Sequence, residues 1–213
     1  MRQVILVSFI LTVALMPPVD AAIQWKVENG GNGHFYGLVG DYTKSDQRWT
    51  WSESKTMAEG MSHLGIQGHL VTISSAAENQ FIIENLHVGA NRLPAWLGLT
   101  DSEAFGGFES FGQANPRTDG WVWVTGEAIV FTGWNPGNPD NTNDEDFAIM
   151  GSVWGDHSDW NDVQSGSGGH APFFIEFDVN PKVVPEPTTL AIWSLLGGIG
   201  LVVEYRRRRR KTA

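Results

Sequence analysis

Between Gly133 and Phe147 the chain reads GWNPGNPDNTNDEDF, with four carboxylates, two prolines and no basic residue. Asn138-Pro139-Asp140 sets two oxygen-bearing side chains around a proline. Glu145-Asp146 follows, and Trp160-Asn161-Asp162 comes later at a strand-like position. Carboxylate and amide oxygens are hard ligands, the kind calcium gathers in sets of about six to eight. Gathered without a cation they repel one another and lose hydration. A divalent cation converts that cost into cohesion. If the Asn138–Pro139 bond is cis, the chain reverses there and both flanking side chains can point to one side. An acidic loop is also the ordinary composition of a solvated one, so spacing alone leaves both readings open.

Other chemistries are less well supplied. His157 lies among acids and could bind a metal or simply be solvated; no histidine pair has the HExxH spacing. Asp140, Glu145 and Asp162 could be paired for glycoside hydrolysis. A charged, wet loop, however, offers nothing that raises one carboxyl for an acid role. There is no Ser/His/Asp signature and no phosphate loop, so the chain reads as a binding protein and not as an enzyme.

The charge balance agrees with a cation. From Ile23 to Lys182 there are 21 acidic and 7 basic side chains, a net charge near −14, softened to −10 over the 213 residues by arginines at the far end. Nucleic acid is a poor partner for such a surface. The chain has no cysteine, which excludes disulfides, thiolate metal sites and cysteine nucleophiles. Stability must come from the core, and ten tryptophans and eleven phenylalanines promise an aromatic one.

The elements that must position the acidic loop can be read from pattern. HFYGLV (34–39), HLVTI (69–73), AWLGLT (95–100), WVWVT (121–125), FAIM (147–150) and PFFIEF (172–177) are strand-like. Thr50 with Glu53, and Ser75 with Glu78, have the spacing of capping boxes. They predict one helix to about Leu64, ended by Gly65, and a second to about His87. Residues 106–119 and 132–146 read as loops, and a long loop inside a compact domain is usually functional or disordered. The order is strand, two helices, then strands with long loops: an α+β domain.

The two ends differ from this domain. Residues 1–22 pair Arg2 with the run VILVSFILTVAL and a small-residue end, the pattern of a secretory signal peptide cleaved after Ala21 or Ala22, with a membrane anchor as the alternative. Residues 182–213 hold an apolar stretch at about 188–204 followed by the block Arg206 to Lys211. That predicts a transmembrane helix whose basic tail stays cytoplasmic.

Taken in order, GHLVTISSAAENQFI, AWLGLTD, GWVWVTGE, GWNPGNPDN, EDF, DWNDV and FFIEF make the domain (23–181, core 34–178) resemble the C-type lectin-like domain. The resemblance implies that fold, with two helices packed on antiparallel strands and a long calcium-binding loop. It implies calcium ligands at Asn138, Asp140, Glu145, Asn161 and Asp162. Asn138, Asp140, Glu145 and Asn161 would also hydrogen-bond the vicinal hydroxyls of a glycan or exopolysaccharide. Trp134 and Trp154, in polar loops, are the tryptophans best placed to stack on a sugar; Trp96, Trp121, Trp123 and Trp160 read as core. A calcium-stabilised adhesion module that binds a surface protein and no sugar is the alternative.

Three departures stand out. The triplet begins with Asn138 where the family more often has Glu or Gln, and its neutral-then-acidic order is similar to the galactose-reading type. Asp101 and Asp146 match an auxiliary calcium site, but Asn141 and Phe105 stand where acids are common. Met61, Phe147 and Ile175 lie near the family's usual cysteines, which implies apolar packing in their place. At the far end, Val184-Pro185-Glu186-Pro187, the apolar run and the arginines resemble a PEP-CTERM sorting signal. Such signals imply a Gram-negative bacterium, an exosortase-type processing enzyme, and release of an initially membrane-anchored chain to the cell surface or matrix.

Overall fold

The computed structural model describes residues 22–86, 94–151, 159–164 and 171–179. The signal-peptide expectation for 1–22, apart from Ala22, and the anchor expectation for 182–213 lie outside the described residues, as do Trp154 and His157. Among the described residues no helix is long and apolar enough to cross a membrane.

The architecture is α+β. The strands in chain order are β1 (Ile23–Gln24), β2 (Phe35–Val39), β3 (Ser62–His63), β4 (Ile66–Leu70), β5 (Ala95–Thr100), β6 (Val122–Trp123), β7 (Phe147–Met150), β8 (Trp160–Val163) and β9 (Phe173–Phe177); α1 is Trp51–Gly60 and α2 is Ala76–Asn85. The main path of the sheet runs β1-β2-β9-β5-β7-β8, with β4 also pairing β9 and β6 also pairing β5. The β5–β9 pair is parallel and the other pairs are antiparallel.

Period-two alternation sends side chains of one strand to two cores. On β9, Phe173, Ile175 and Phe177 join one cluster and Phe174 the other. The first cluster takes Trp51 and Ala58 of α1, and the second Ile82 and Ile83 of α2. The helices therefore cover the two faces of the sheet. Met61, Phe147 and Ile175 are buried in one cluster, so apolar packing occupies the positions where the resemblance would place cysteines.

Three elements differ from expectation in their bounds, the first being β4, which spans Ile66–Leu70 and not 69–73. Helix α1 ends at Gly60, not near Leu64, because Ser62 and His63 pair with Gln67 and Ile66. Gly65 is not a helix stop: Leu64 (φ 51°) and Gly65 (φ 80°) both have positive φ, the conformation a two-residue hairpin turn requires. Strand β6 is shorter than 121–125, since only Val122 and Trp123 pair with the end of β5. The box at α1 is complete. At α2 only half of it forms: Ser75 Oγ accepts from Glu78 N (3.1 Å), while the Glu78 carboxylate turns to Ser74 N and Oγ, both 2.8 Å away.

Candidate functional site

The acidic loop is laced to β8 before its ligands are reached. Trp160 N donates to Gly133 O (2.8 Å) and Asn135 N to Trp160 O (2.9 Å). Gly133 is required here, because a Cβ would come within 2.8 Å of the Trp160 indole. The same indole is fully buried and donates from Nε1 to Asn79 Oδ1 of α2 (2.9 Å). Arg117 closes the outer side: Nε donates to Asn138 O (3.1 Å), and Nη2 to Trp134 O (3.1 Å) and Asn135 O (2.9 Å). Trp134 is itself 5% exposed and packs on Trp121 and Trp160. It is a core residue, and the stacking role considered for it is corrected. Its apolar ring found more favourable burial in the core than the polarity of its neighbours in sequence suggested.

The Asn138–Pro139 bond is cis. After it, Asn141, Asn143 and Asp144 adopt left-handed conformations (φ 51°, 63° and 69°), which Asn and Asp tolerate better than other residues with a Cβ. Side chains fix this turn: Thr142 N donates to Asp140 Oδ1 (2.9 Å) and Glu145 N to Asn141 Oδ1 (2.7 Å). The Asn-rich spelling of the loop is thus a backbone requirement.

These contacts bring ligand oxygens of Asp140, Glu145 and Asp162 within 4.8 Å of one another. Asn138 and Asn161, their chain neighbours, hydrogen-bond each other through Nδ2 and Oδ1. Asp162 is the anchor. Its Oδ2 accepts from Asp140 N (2.8 Å) and Asn141 N (2.7 Å), tying β8 to the loop. Its Oδ1 is buried with no hydrogen-bond partner among the described residues, an arrangement a bound cation would satisfy. Oxygens facing each other across a calcium ion lie about 5 Å apart, given bonds of about 2.3–2.6 Å. The cluster fits that ion. Three of the five expected ligands, Asp140, Glu145 and Asp162, converge here, while Asn138 and Asn161 pair with each other; Trp154 falls outside the described residues.

The electrostatics record the crowding. Burial, then the charges of Asp162 and Asp140, push the Glu145 carboxyl up to about 7. Asp162 is also raised, chiefly by burial. The expectation that nothing in the loop raises a carboxyl is therefore corrected. The causes are burial first and then a convergent set of like charges.

A second carboxylate group adjoins the first. Oxygens of Glu109, Asp144 and Asp146 lie within 4.8 Å of one another. Asn141 Nδ2 donates to Glu109 Oε2 (2.7 Å), between the two groups. Burial and the charges of Asp144, Asp101 and Glu109 raise Asp146 to about 6. Asp101, expected beside Asp146, is not in this group; it accepts from Ser110 N at Oδ2 (3.0 Å). Phe105 instead packs on Trp51 and Phe147. Sequence reading missed Glu109, Asp144 and Arg117. Asp144 stands in the quoted loop, but the other two arrive from residues 103–119, whose fold no periodicity announces.

No protein-family profile matches the chain. It is 28% identical over 142 residues to the "Alpha-N-acetylgalactosamine-specific lectin" of Patiria pectinifera, covering 66% of this chain and 71% of that protein. It is 28% identical over 140 residues to "Halomucin" of Haloquadratum walsbyi, covering 64% of this chain but 1% of that protein. Among solved structures, human lithostathine superposes with a TM-score of 0.54 at 20% identity, over 75% of this chain and 90% of that one. The C-type lectin CEL-I from Cucumaria echinata gives 0.50 at 22% identity, over 68% and 90%. Relatives and neighbours include proteins named as lectins rather than as enzymes. The described part of the chain is a domain of the C-type lectin-like fold.

Proposed function

We propose that the domain binds carbohydrate in a calcium-dependent way. One observation carries this reading: Asp140, Glu145 and Asp162, from two separate segments, bring carboxylate oxygens within 4.8 Å of one another, and Asp162 Oδ1 is buried with no hydrogen-bond partner among the described residues. The lectin names of the relatives support it. Asn138, Asp140, Glu145, Asn161 and Asp162 would hold the ion. Calcium, when bound, offers open coordination positions to two vicinal sugar hydroxyls. Asn138, Asp140, Glu145 and Asn161 would meet the same hydroxyls with amide and carboxylate hydrogen bonds. Trp154 is the proposed stacking partner for the sugar's apolar face. The amide-then-acid order at Asn138 and Asp140 favours galactose-type sugars, in keeping with the specificity in the Patiria lectin's name.

A glycan array probed with the purified 213-residue chain, with calcium and with chelator, tests this. The expected result is binding to terminal galactose or N-acetylgalactosamine that chelator abolishes. A blank array would contradict it. That outcome favours the second reading, a calcium-stabilised module that binds a surface protein. Phe108 and Phe111, 52% and 66% exposed on either side of Glu109, are the specific reason to keep that reading.

We also propose export to a bacterial cell surface or extracellular matrix, through a signal peptide, transient membrane anchoring and exosortase-type processing. The support is the pattern of residues 1–22 and the Val184–Pro187 segment with its apolar run and arginines. Mass spectrometry of the exported protein, finding new termini near Ala22 and Pro185, is the check.

A further inference from the structure

We propose that His34, His69, Glu176 and Asp178 form a structural site for a zinc-type transition metal. This does not rest on the carbohydrate reading. Strand β9, which carries Glu176, is separated from β8 and the acidic loop by β5 and β7.

Sheet register alone brings the four together. Tyr36, Glu176 and His69 are direct cross-strand partners on β2, β9 and β4. His34 is two residues before Tyr36 and Asp178 two after Glu176, so the period of two puts all four on one face. Side-chain geometry agrees. His34 Nδ1 lies 2.8 Å from Glu176 Oε1 and 3.2 Å from Asp178 Oδ1, and His69 Nε2 lies 3.1 Å from the same Asp178 oxygen. Neighbouring ligand atoms of a tetrahedral zinc with bonds of about 2.0–2.1 Å are about 3.4 Å apart. His34, Glu176 and Asp178 lie within 4.8 Å of one another, near that spacing, while His69 meets the group through Asp178 and would have to swing inward to complete it.

The outer contacts are those that metal ligands need. His69 Nδ1 bonds Leu70 O (2.8 Å). The carbonyl takes the Nδ1 proton, which leaves Nε2 facing Asp178 and free to ligate once it loses its own proton. Donation of the other ring N–H to a carbonyl is the outer contact a ligating histidine has. Glu176 is 1% exposed, and its second oxygen is held by Thr72 N (3.0 Å) and Oγ1 (3.1 Å), leaving Oε1 to the cluster. Two imidazoles with two carboxylates favour zinc over calcium, which takes oxygen alone.

The surroundings are negative as well. Glu78 reaches the same face through Tyr36 Oη (2.5 Å). Glu127 feels the charges of Asp178 and Glu176, after burial, strongly enough for its carboxyl to be raised. Among the described residues no lysine or arginine pairs with these four carboxylates. With His69 drawn in as the fourth donor no position stays open, so the role is to staple β2, β9 and β4 where the chain leaves the sheet.

The test is thermal unfolding of the full chain with and without zinc, with calcium present throughout. Zinc at micromolar concentration is expected to raise the melting temperature. His34→Gln with His69→Gln should lower zinc affinity by about a hundredfold or more, while Asp162→Asn in the acidic loop should leave the zinc response unchanged. Cobalt(II) in place of zinc should give the visible absorption of a tetrahedral ion. If the double variant fails to fold, Asp178→Asn, at a half-exposed position after the strand end, serves in its place. Absence of a zinc shift, a shift that survives the histidine changes, or one lost equally on Asp162→Asn would each overturn the proposal and leave an ion-paired cluster.

Discussion

Asp162 decides whether the loop holds a cation. One carboxylate oxygen takes two backbone N–H groups and the other has no partner among the described residues. An asparagine there keeps one acceptor for the backbone and removes the charge. Asp162→Asn should therefore lower calcium affinity more than tenfold, roughly the loss of one charge-assisted contact of about 1.5–3 kcal/mol, while cooperative unfolding persists; calcium titration followed by melting curves measures both. The acids Asp140, Glu145 and Asp162, which the structure brings together, were singled out through the ordered motifs of the resemblance, since the spacing of the loop alone also fits a solvated one. Glu109 and Arg117 were not. A single acid in a Gly- and Ser-rich stretch has no local mark, and its meaning comes only from what it meets, here Asn141.

At the scale of elements, the site is a loop made rigid by contacts distant in sequence. Arg117 bonds three loop carbonyls, and Gly133 lies against the Trp160 ring. Arg117→Ala should leave those carbonyls to water and weaken calcium binding by about tenfold, as expected for losing hydrogen bonds to a charged group of about 1.5–3 kcal/mol. The core should be intact by near-ultraviolet circular dichroism. Gly133→Ala drives a methyl into the indole, and overpacking of this kind costs about 1–3 kcal/mol; a lowered melting temperature in both the presence and absence of calcium is the expected sign. The strands at 35–39, 95–100, 147–150 and 173–177 followed from apolar runs of the right length. The end of α1 did not. Leu64-Gly65 has the same letters as a helix stop, and only the pairing of Ser62 and His63 with β4 reveals a hairpin. The Glu78 carboxylate likewise left its box for Tyr36 and Ser74, because it is buried in a folded core that the sequence does not display.

For the whole molecule, charge sets the response to pH. Glu145 has a folded pKa of about 7 and Asp146 of about 6, both above their ordinary values of 4.5 and 3.8. The folded, calcium-free chain thus binds more protons than the unfolded chain between roughly pH 4 and 7, so these groups make it less stable as pH rises through that window. Calcium at the proposed site requires Glu145 ionised, so its affinity should fall as pH drops below 7. The two trends have opposite signs: acid should stabilise the calcium-free chain and weaken the calcium complex, as paired melting curves at pH 5.5 and 7.5 would record. The measurement that tests the central claim most directly is calorimetric titration of calcium into the 213-residue chain and its Asp162→Asn variant near pH 7.5. The account predicts binding with a dissociation constant on the order of 10⁻⁴–10⁻³ M, the range of extracellular calcium modules, and its loss in the variant. No calcium binding by the unaltered chain, or equal binding by the variant, would contradict it.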